Sequence, residues 1–156
     1  IIPVPTVDAL AFNLYGSGGL VCPIMDARRN QVYTGLYAFH KGAGQDARYD
    51  MCTMEKQCAV DIAWLAGRIN ELDRETVFLG DGVSVYRDQL AELLRVRYSF
   101  APACCNRQRA ACVAALGAVL YEKGIAGTAA EHVPDYLRLS QAERERAEKG
   151  DQGIDR

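Results

Sequence analysis

The sequence predicts a layered α/β domain, on three observations. Leu20–Phe39 reads as a β-hairpin in which two apolar runs flank Asp26-Ala27-Arg28-Arg29-Asn30-Gln31. The second strand of that hairpin is apolar on both sides, with Val32, Thr34, Leu36 and Ala38 facing one way and Tyr33, Tyr37 and Phe39 the other. Such a strand is central and covered by helices above and below. Further along, short apolar strands alternate with amphipathic helices, so the later strands return in parallel.

Each element has its own signal. Pro5 and Thr6 precede Val7, Leu10, Ala11 and Leu14, which share a helical face at i, i+3, i+4 and i+7, and Gly16-Ser17-Gly18-Gly19 ends that helix. The hairpin follows. Pro23 sits in its first strand without an N–H to donate, so a bulge or an unpaired stretch is expected there. A loop at His40–Gln45 leads to a weaker strand near Arg48–Met54. A helix over Val60–Leu72 has Ile62, Leu65, Ile69 and Leu72 on its inner face. Thr76-Val77-Phe78-Leu79 is a short buried strand that runs into Gly80-Asp81-Gly82 and then a helix carrying Tyr86, Leu90, Leu93 and Leu94. Tyr98-Ser99-Phe100 is a strand closed by Pro102, and an alanine-rich helix from Arg107 to Lys123 is expected to bury Cys112, Val113, Leu116, Val119 and Leu120.

Three strands in succession pair as an antiparallel meander, and strands that return through helices pair in parallel with right-handed crossovers. The simplest result is a mixed five-stranded sheet of order 3-2-1-4-5 with helices on both faces. That is the ribonuclease-H-like arrangement, the repeating unit of the actin-like ATPase superfamily. It is expected to occupy residues 1–139, with His132–Arg138 extended. In 140–156, Ser140-Gln141-Ala142-Glu143 matches a capping box ahead of a polar helix, and the residues after Gly150 are expected to be disordered.

With 156 residues the chain is one domain by length, and its formal net charge is −2. A protein that binds nucleic acid unaided usually carries a basic excess, so any such contact here is local or made through a partner. No apolar run approaches the roughly 20 residues of a membrane span, and no charged-then-apolar segment of the signal type is read in these residues. The six cysteines form no Cys-x-x-Cys pair, and with His40 and His132 they do not give zinc spacing. They read as buried, reduced thiols of a cytoplasmic protein, with no metal site.

Gly80-Asp81-Gly82 stands between a strand and a helix, where glycines let backbone N–H groups approach a phosphate; a tight turn produces the same string. Asp26, Arg28 and Arg29 at the hairpin tip suit a phosphate or a partner's acidic groups, and Asp26 with Asn30 also suits a plain turn. Arg107 and Arg109 open a helix against its dipole. His40 and His132 read as surface or loop residues. No Gly-x-Ser-x-Gly elbow and no other catalytic constellation is present.

Four strings are distinctive: VPTVDALAFN at Val4–Asn13, CPIMDARRNQVYTGLY at Cys22–Tyr37, VFLGDGVSVYR at Val77–Arg87 and PDYLRLSQAERE at Pro134–Glu145. In order and spacing they resemble the bacterial TsaB family, also called YeaZ, over nearly the whole chain. The resemblance implies a role in making threonylcarbamoyladenosine in tRNAs that read codons starting with A. It implies a non-catalytic subunit that pairs with a TsaD-like catalytic subunit and a TsaE-like ATPase, with a homodimer as a further option, and meets tRNA only through that complex. Older usage ties the family to glycoproteases. Against the family this chain corresponds to the second of two actin-like lobes; the first, with its Ala-Ile-Asp-Thr strand, is expected to be missing, and the start at Ile1 without methionine suits a fragment.

In actin-like proteins the first hairpin of the second lobe carries a glycine-rich phosphate loop. The tip here, Asp26–Asn30, has no glycine, and Gly80-Asp81-Gly82 takes the place of the adenosine-side motif in shortened form. The resemblance therefore implies a degenerate cleft with no catalytic residue and no cofactor of its own; ATP or ADP would bind only at an interface with a partner. The residues expected to face a partner or the cleft are Asp26, Arg28, Arg29, Gly80, Asp81, Gly82, Tyr136 and Arg138. The rival readings are a nucleotide hydrolase, a glycoprotease-like metallopeptidase needing clustered histidines and carboxylates, and a plain ligand-binding or oligomerisation module.

Overall fold

The sheet order is β3-β2-β1-β4-β5, as the strand succession requires. The strands, in a computed structural model that describes residues 1–43 and 48–138, are β1 (Leu20–Asp26), β2 (Gln31–Lys41), β3 (Tyr49–Asp61), β4 (Thr76–Leu79) and β5 (Tyr98–Phe100). β1 pairs antiparallel with β2 and parallel with β4, so it lies at the centre, and its first five residues are buried. The helices are α1 (Thr6–Ala11), α2 (Ile62–Leu72), α3 (Val83–Leu93) and α4 (Ala110–Glu122). α1 continues as a 3-10 turn over Phe12–Leu14, and another such turn covers Ala103–Cys105.

The two faces of β2 separate two cores. Tyr37 and Phe39 pack with Val21 and Leu79 against Val7 and Leu10 of α1 and Leu116 of α4. Val32 and Leu36 pack with Ile24 and Phe78 against Ile62, Leu65 and Ile69 of α2 and Val83, Tyr86 and Leu90 of α3. Helices on both faces follow directly from a strand that is apolar on both sides.

Pro23 produces an unpaired stretch without a bulge. The β1–β2 register is the same on either side of it, with Val21 opposite Tyr37 and Ile24 opposite Thr34. The buried hydroxyl of Thr34 donates to the Pro23 carbonyl at 2.7 Å, which satisfies a group the ladder leaves open. The hydroxyl of Tyr37 donates to Asp8 Oδ1 at 2.5 Å, tying α1 to the sheet. Gly35 makes room for this: a Cβ there would run into the Tyr37 hydroxyl. Burial pushes the Asp8 carboxyl above its usual range, and the Tyr37 hydrogen bond opposes that rise.

Several expectations are corrected. β3 runs over 13 residues and reaches Asp61, far past the weak strand expected near Arg48–Met54. Two register shifts against β2, between Thr34 and Leu36 and between Leu36 and Tyr37, change which side of β3 faces inward and erase its alternation. α2 consequently starts at Ile62 instead of Val60, with Asp61 accepting from the Ala63 N–H at 2.7 Å as its cap. His40 belongs to β2, where it is exposed. Val113 is exposed on α4, whose fully buried positions are Leu116 and Gly117. α4 is apolar on every side, so its sequence does not single out an inner face.

Arg109 occupies the N-cap position of α4, just outside the helix, without a side-chain capping bond, and its guanidinium donates to the Cys104 carbonyl. Of the six cysteines only Cys22 is buried; burial pushes its thiol up to about 12. No helix among the described residues is long and apolar enough to cross a membrane. The capping box at Ser140–Glu143 and the polar helix after it lie outside the described residues.

Candidate functional site: the hairpin tip and the Gly-Asp-Gly turn

The fold brings most of the singled-out residues together at one end of the sheet. β1 ends at Asp26, and β4 runs parallel beside it into Gly80-Asp81-Gly82. Both segments therefore leave the sheet at its C-terminal edge, where α/β sheets place their sites. The Gly82 N–H donates to the Ile24 carbonyl at 3.1 Å, and the Asp26 N–H points at Asp81 Oδ1 at 3.4 Å. Gly80 adopts φ +112°, and any Cβ on it would lie inside the Ile24 carbonyl group. Its N–H donates to Asn106 Oδ1 at 3.1 Å.

This geometry decides what the glycines do. Their close approach is to the chain's own β1, and the N–H groups of Gly80 and Gly82 are engaged within the protein. The turn locks β4 and α3 against the hairpin.

The tip is an unusual turn. Arg28, Arg29 and Asn30 are consecutive and all left-handed, with φ of 64°, 55° and 59°. That region costs about 1–2 kcal/mol for an ordinary side chain and less for asparagine. The turn is closed by Ala27 N–H to Gln31 O at 2.9 Å and Gln31 N–H to Arg28 O at 3.1 Å. Asp26 Oδ1 accepts from the Arg28 N–H at 2.8 Å, and the Asn30 carbonyl accepts from the Ile62 N–H at 3.0 Å. The Arg28 side chain is 87% exposed, with its Nε 3.8 Å from Asp26 Oδ2. Arg29 is exposed as well.

Two distant residues brace the tip. The single hydroxyl proton of Tyr86 in α3 is shared between Asp26 Oδ1 at 3.1 Å and the Gln31 carbonyl at 3.2 Å. Burial, then the Asp26 carboxylate, raises its phenol above the ordinary tyrosine value, so it stays a neutral donor. Arg138 comes back from the end of the described chain to donate to the Ala27 carbonyl at 2.5 Å. Its Nε is buried without a hydrogen-bond partner among the described residues. Asp135 accepts from Gln57 Nε2 at 2.9 Å, so the segment leading to Arg138 crosses beside β3. Beneath that segment lies a groove of about 1030 Å³ whose wall includes Asp8, Met25, Tyr33 and Arg138. Tyr136 lines the groove and is 82% exposed, without joining the tip cluster.

Asp26, Arg28, Arg29, Gly80, Asp81, Gly82 and Arg138 thus form one cluster. Tyr86 and Asn106 complete it, and sequence reading missed both. Tyr86 shares a helical face with Leu90 and reads as core; its hydroxyl is what marks it, since a buried tyrosine usually finds a partner. Tyr86→Phe should lower stability by about 1–2 kcal/mol, because both acceptors lose the hydroxyl they share. Amide exchange at Arg28 and Gln31 should speed up more than exchange in α2. Equal acceleration in both places would refute the bracing role.

Comparison with known proteins settles the family. The family described as "TsaD: tRNA N6-adenosine threonylcarbamoyltransferase" matches residues 1–146. The chain belongs to that family. Over 143 residues it is 34% identical to the tRNA threonylcarbamoyladenosine biosynthesis protein TsaB of Bacillus subtilis, which covers 92% of this chain. The TsaB resemblance of the four strings is thereby borne out. YeaZ from Pseudomonas aeruginosa superposes with a TM-score of 0.61 at 21% identity over 85% of this chain. Another structure, of a Pseudomonas aeruginosa protein similar to peptidase YeaZ, gives a TM-score of 0.61 at 20% identity over 86%. Both show the ribonuclease-H-like fold. The chain spans 58% of the length of the TsaB relative and 57–58% of the two YeaZ chains.

Proposed function

We propose that this chain is a non-catalytic lobe serving threonylcarbamoyladenosine modification of tRNA, in support of a TsaD-like catalytic subunit and a TsaE-like ATPase. On this reading it works in the cytoplasm and meets tRNA through the complex. The observation that carries it is the use of polar groups at the tip cluster. The Gly82 N–H, Asp26 and Tyr86 hold the turn and α3 to the hairpin, and Asn106 holds the Gly80 N–H from the loop before α4, which builds a rigid surface. Enzymes of the rival classes need reactive groups left free and converging on a cavity. Among the described residues no group of three or more His, Cys, Asp or Glu has metal-site geometry. ATP or ADP, on this reading, binds at an interface with a partner.

The test combines a tagged form of this chain with the TsaD-like and TsaE-like proteins of the same organism. The chain should be retained on the TsaD-like subunit in a binding assay, and alone it should neither hydrolyse ATP nor modify a tRNA transcript. Turnover by the chain alone would refute the non-catalytic reading, and absence of any binding would refute the subunit reading.

A further inference from the structure

We propose that Arg28 and Arg29 form a preset pair of cations that grips carboxylates on the surface of a protein partner, and that the strained turn exists to aim them. The proposal rests on the subunit reading above. Glycine adopts the left-handed region without penalty, and every hydrogen bond that closes this turn uses backbone atoms or the Asp26 side chain. Glycines at 28 and 29 would therefore keep the turn and relieve it. Within the chain the two arginines give little in return. Arg28, itself 87% exposed, makes one long ion pair with Asp26 at 3.8 Å, a contact with small net effect, and Arg29 has no described side-chain partner. Strain held without an internal return marks side chains used on something outside the fold.

The bracing fixes where those side chains start. Tyr86 holds Asp26 and Gln31, Arg138 holds Ala27, and Ile62 holds Asn30. A tip held this way loses little freedom when it binds, and two guanidinium forks match the planar oxygens of carboxylates. The surrounding charge selects the kind of anion. Asp26, Asp61 and Asp81 stand among Arg28, Arg29 and Arg138, so the cluster is nearly neutral. A nearly neutral cluster offers a polyanion such as an RNA backbone little net attraction, and a chain of net charge −2 adds none at long range. Separate carboxylates on a protein surface can each meet one of the two exposed arginine side chains.

The experiment compares the chain with its R28G/R29G and R28K/R29K variants. Thermal unfolding of R28G/R29G should shift upward by about 3–6 °C as the strain is relieved. Its affinity for the TsaD-like subunit should fall at least about tenfold, and the wild-type affinity should weaken more steeply with salt. R28K/R29K keeps the charge without the fork, so it should bind at an intermediate level and gain no stability. Unchanged affinity of R28G/R29G, or no gain in its melting temperature, overturns the proposal. Loss of affinity for a tRNA transcript with the protein affinity intact overturns it in favour of RNA. If the unmodified chain itself fails to bind the subunit, the reading of the preceding section falls and this proposal falls with it.

Discussion

Gly80→Ala should lower the stability of this protein by about 3–5 kcal/mol, the largest single-residue effect expected outside the apolar cores. Two causes add. The backbone there has φ +112°, which an L side chain rarely adopts, and the new Cβ would have to occupy the space of the Ile24 carbonyl. That carbonyl belongs to the central strand β1, paired on both sides, so it cannot retreat without disturbing the sheet. In thermal unfolding the loss corresponds to a drop of roughly 8 °C or more for a chain of this size. Gly67→Ala supplies the opposite sign. Gly67 lies inside α2, and a Cβ added there would meet nothing within 4 Å, so alanine should stabilise by about 0.5–1 kcal/mol. If Gly80→Ala melted within a degree of the parent, the packing of the turn on β1 would not be what fixes this end of the sheet.

Tyr37→Phe comes second, at about 2–3 kcal/mol near neutral pH, because it leaves the half-buried Asp8 carboxylate without its donor. The pH dependence identifies the cause. Burial holds the folded-state pKa of Asp8 above its unfolded value. Its contribution to stability is therefore fully present below the unfolded value of 3.8 and is lost as pH rises through the folded one. Removing the Tyr37 hydroxyl removes the hydrogen bond that lowers the folded pKa, so that loss grows. The Tyr37→Phe deficit should be largest at pH 7 and shrink as the pH falls through the folded-state pKa of Asp8, which lies above 3.8. Asp8→Asn keeps an acceptor for the hydroxyl and removes the buried charge. It should abolish this pH dependence, and in its background Tyr37→Phe should have a smaller, pH-independent effect. A deficit that stayed constant from pH 3 to pH 7 would refute the assignment to the carboxylate.

Both predictions concern contacts between residues far apart in sequence, and the sequence reading is weakest there. β2 was legible because its apolar residues occupy both faces, and α2 because Ile62, Leu65 and Ile69 repeat at helical spacing. β3 was not, since two register shifts break its period. α4 was legible as a helix but not in orientation, since alanines surround it. In the site, the tip and the turn were each visible as strings. The string Gly80-Asp81-Gly82 suited an anion pocket and a tight turn equally well, and the position of Ile24 against Gly80 is what separates the two.

The order of the elements therefore determined the sheet and its two cores, because alternation and helical periodicity are local properties that the chain carries openly, and the four strings carried the family resemblance. The meeting of Asp26 with Tyr86, 60 residues away, and of Ala27 with Arg138, 111 residues away, was decided only in three dimensions. A hydroxyl or a guanidinium specifies that it needs a partner, but the parallel pairing of β1 with β4 determines which partner comes within reach.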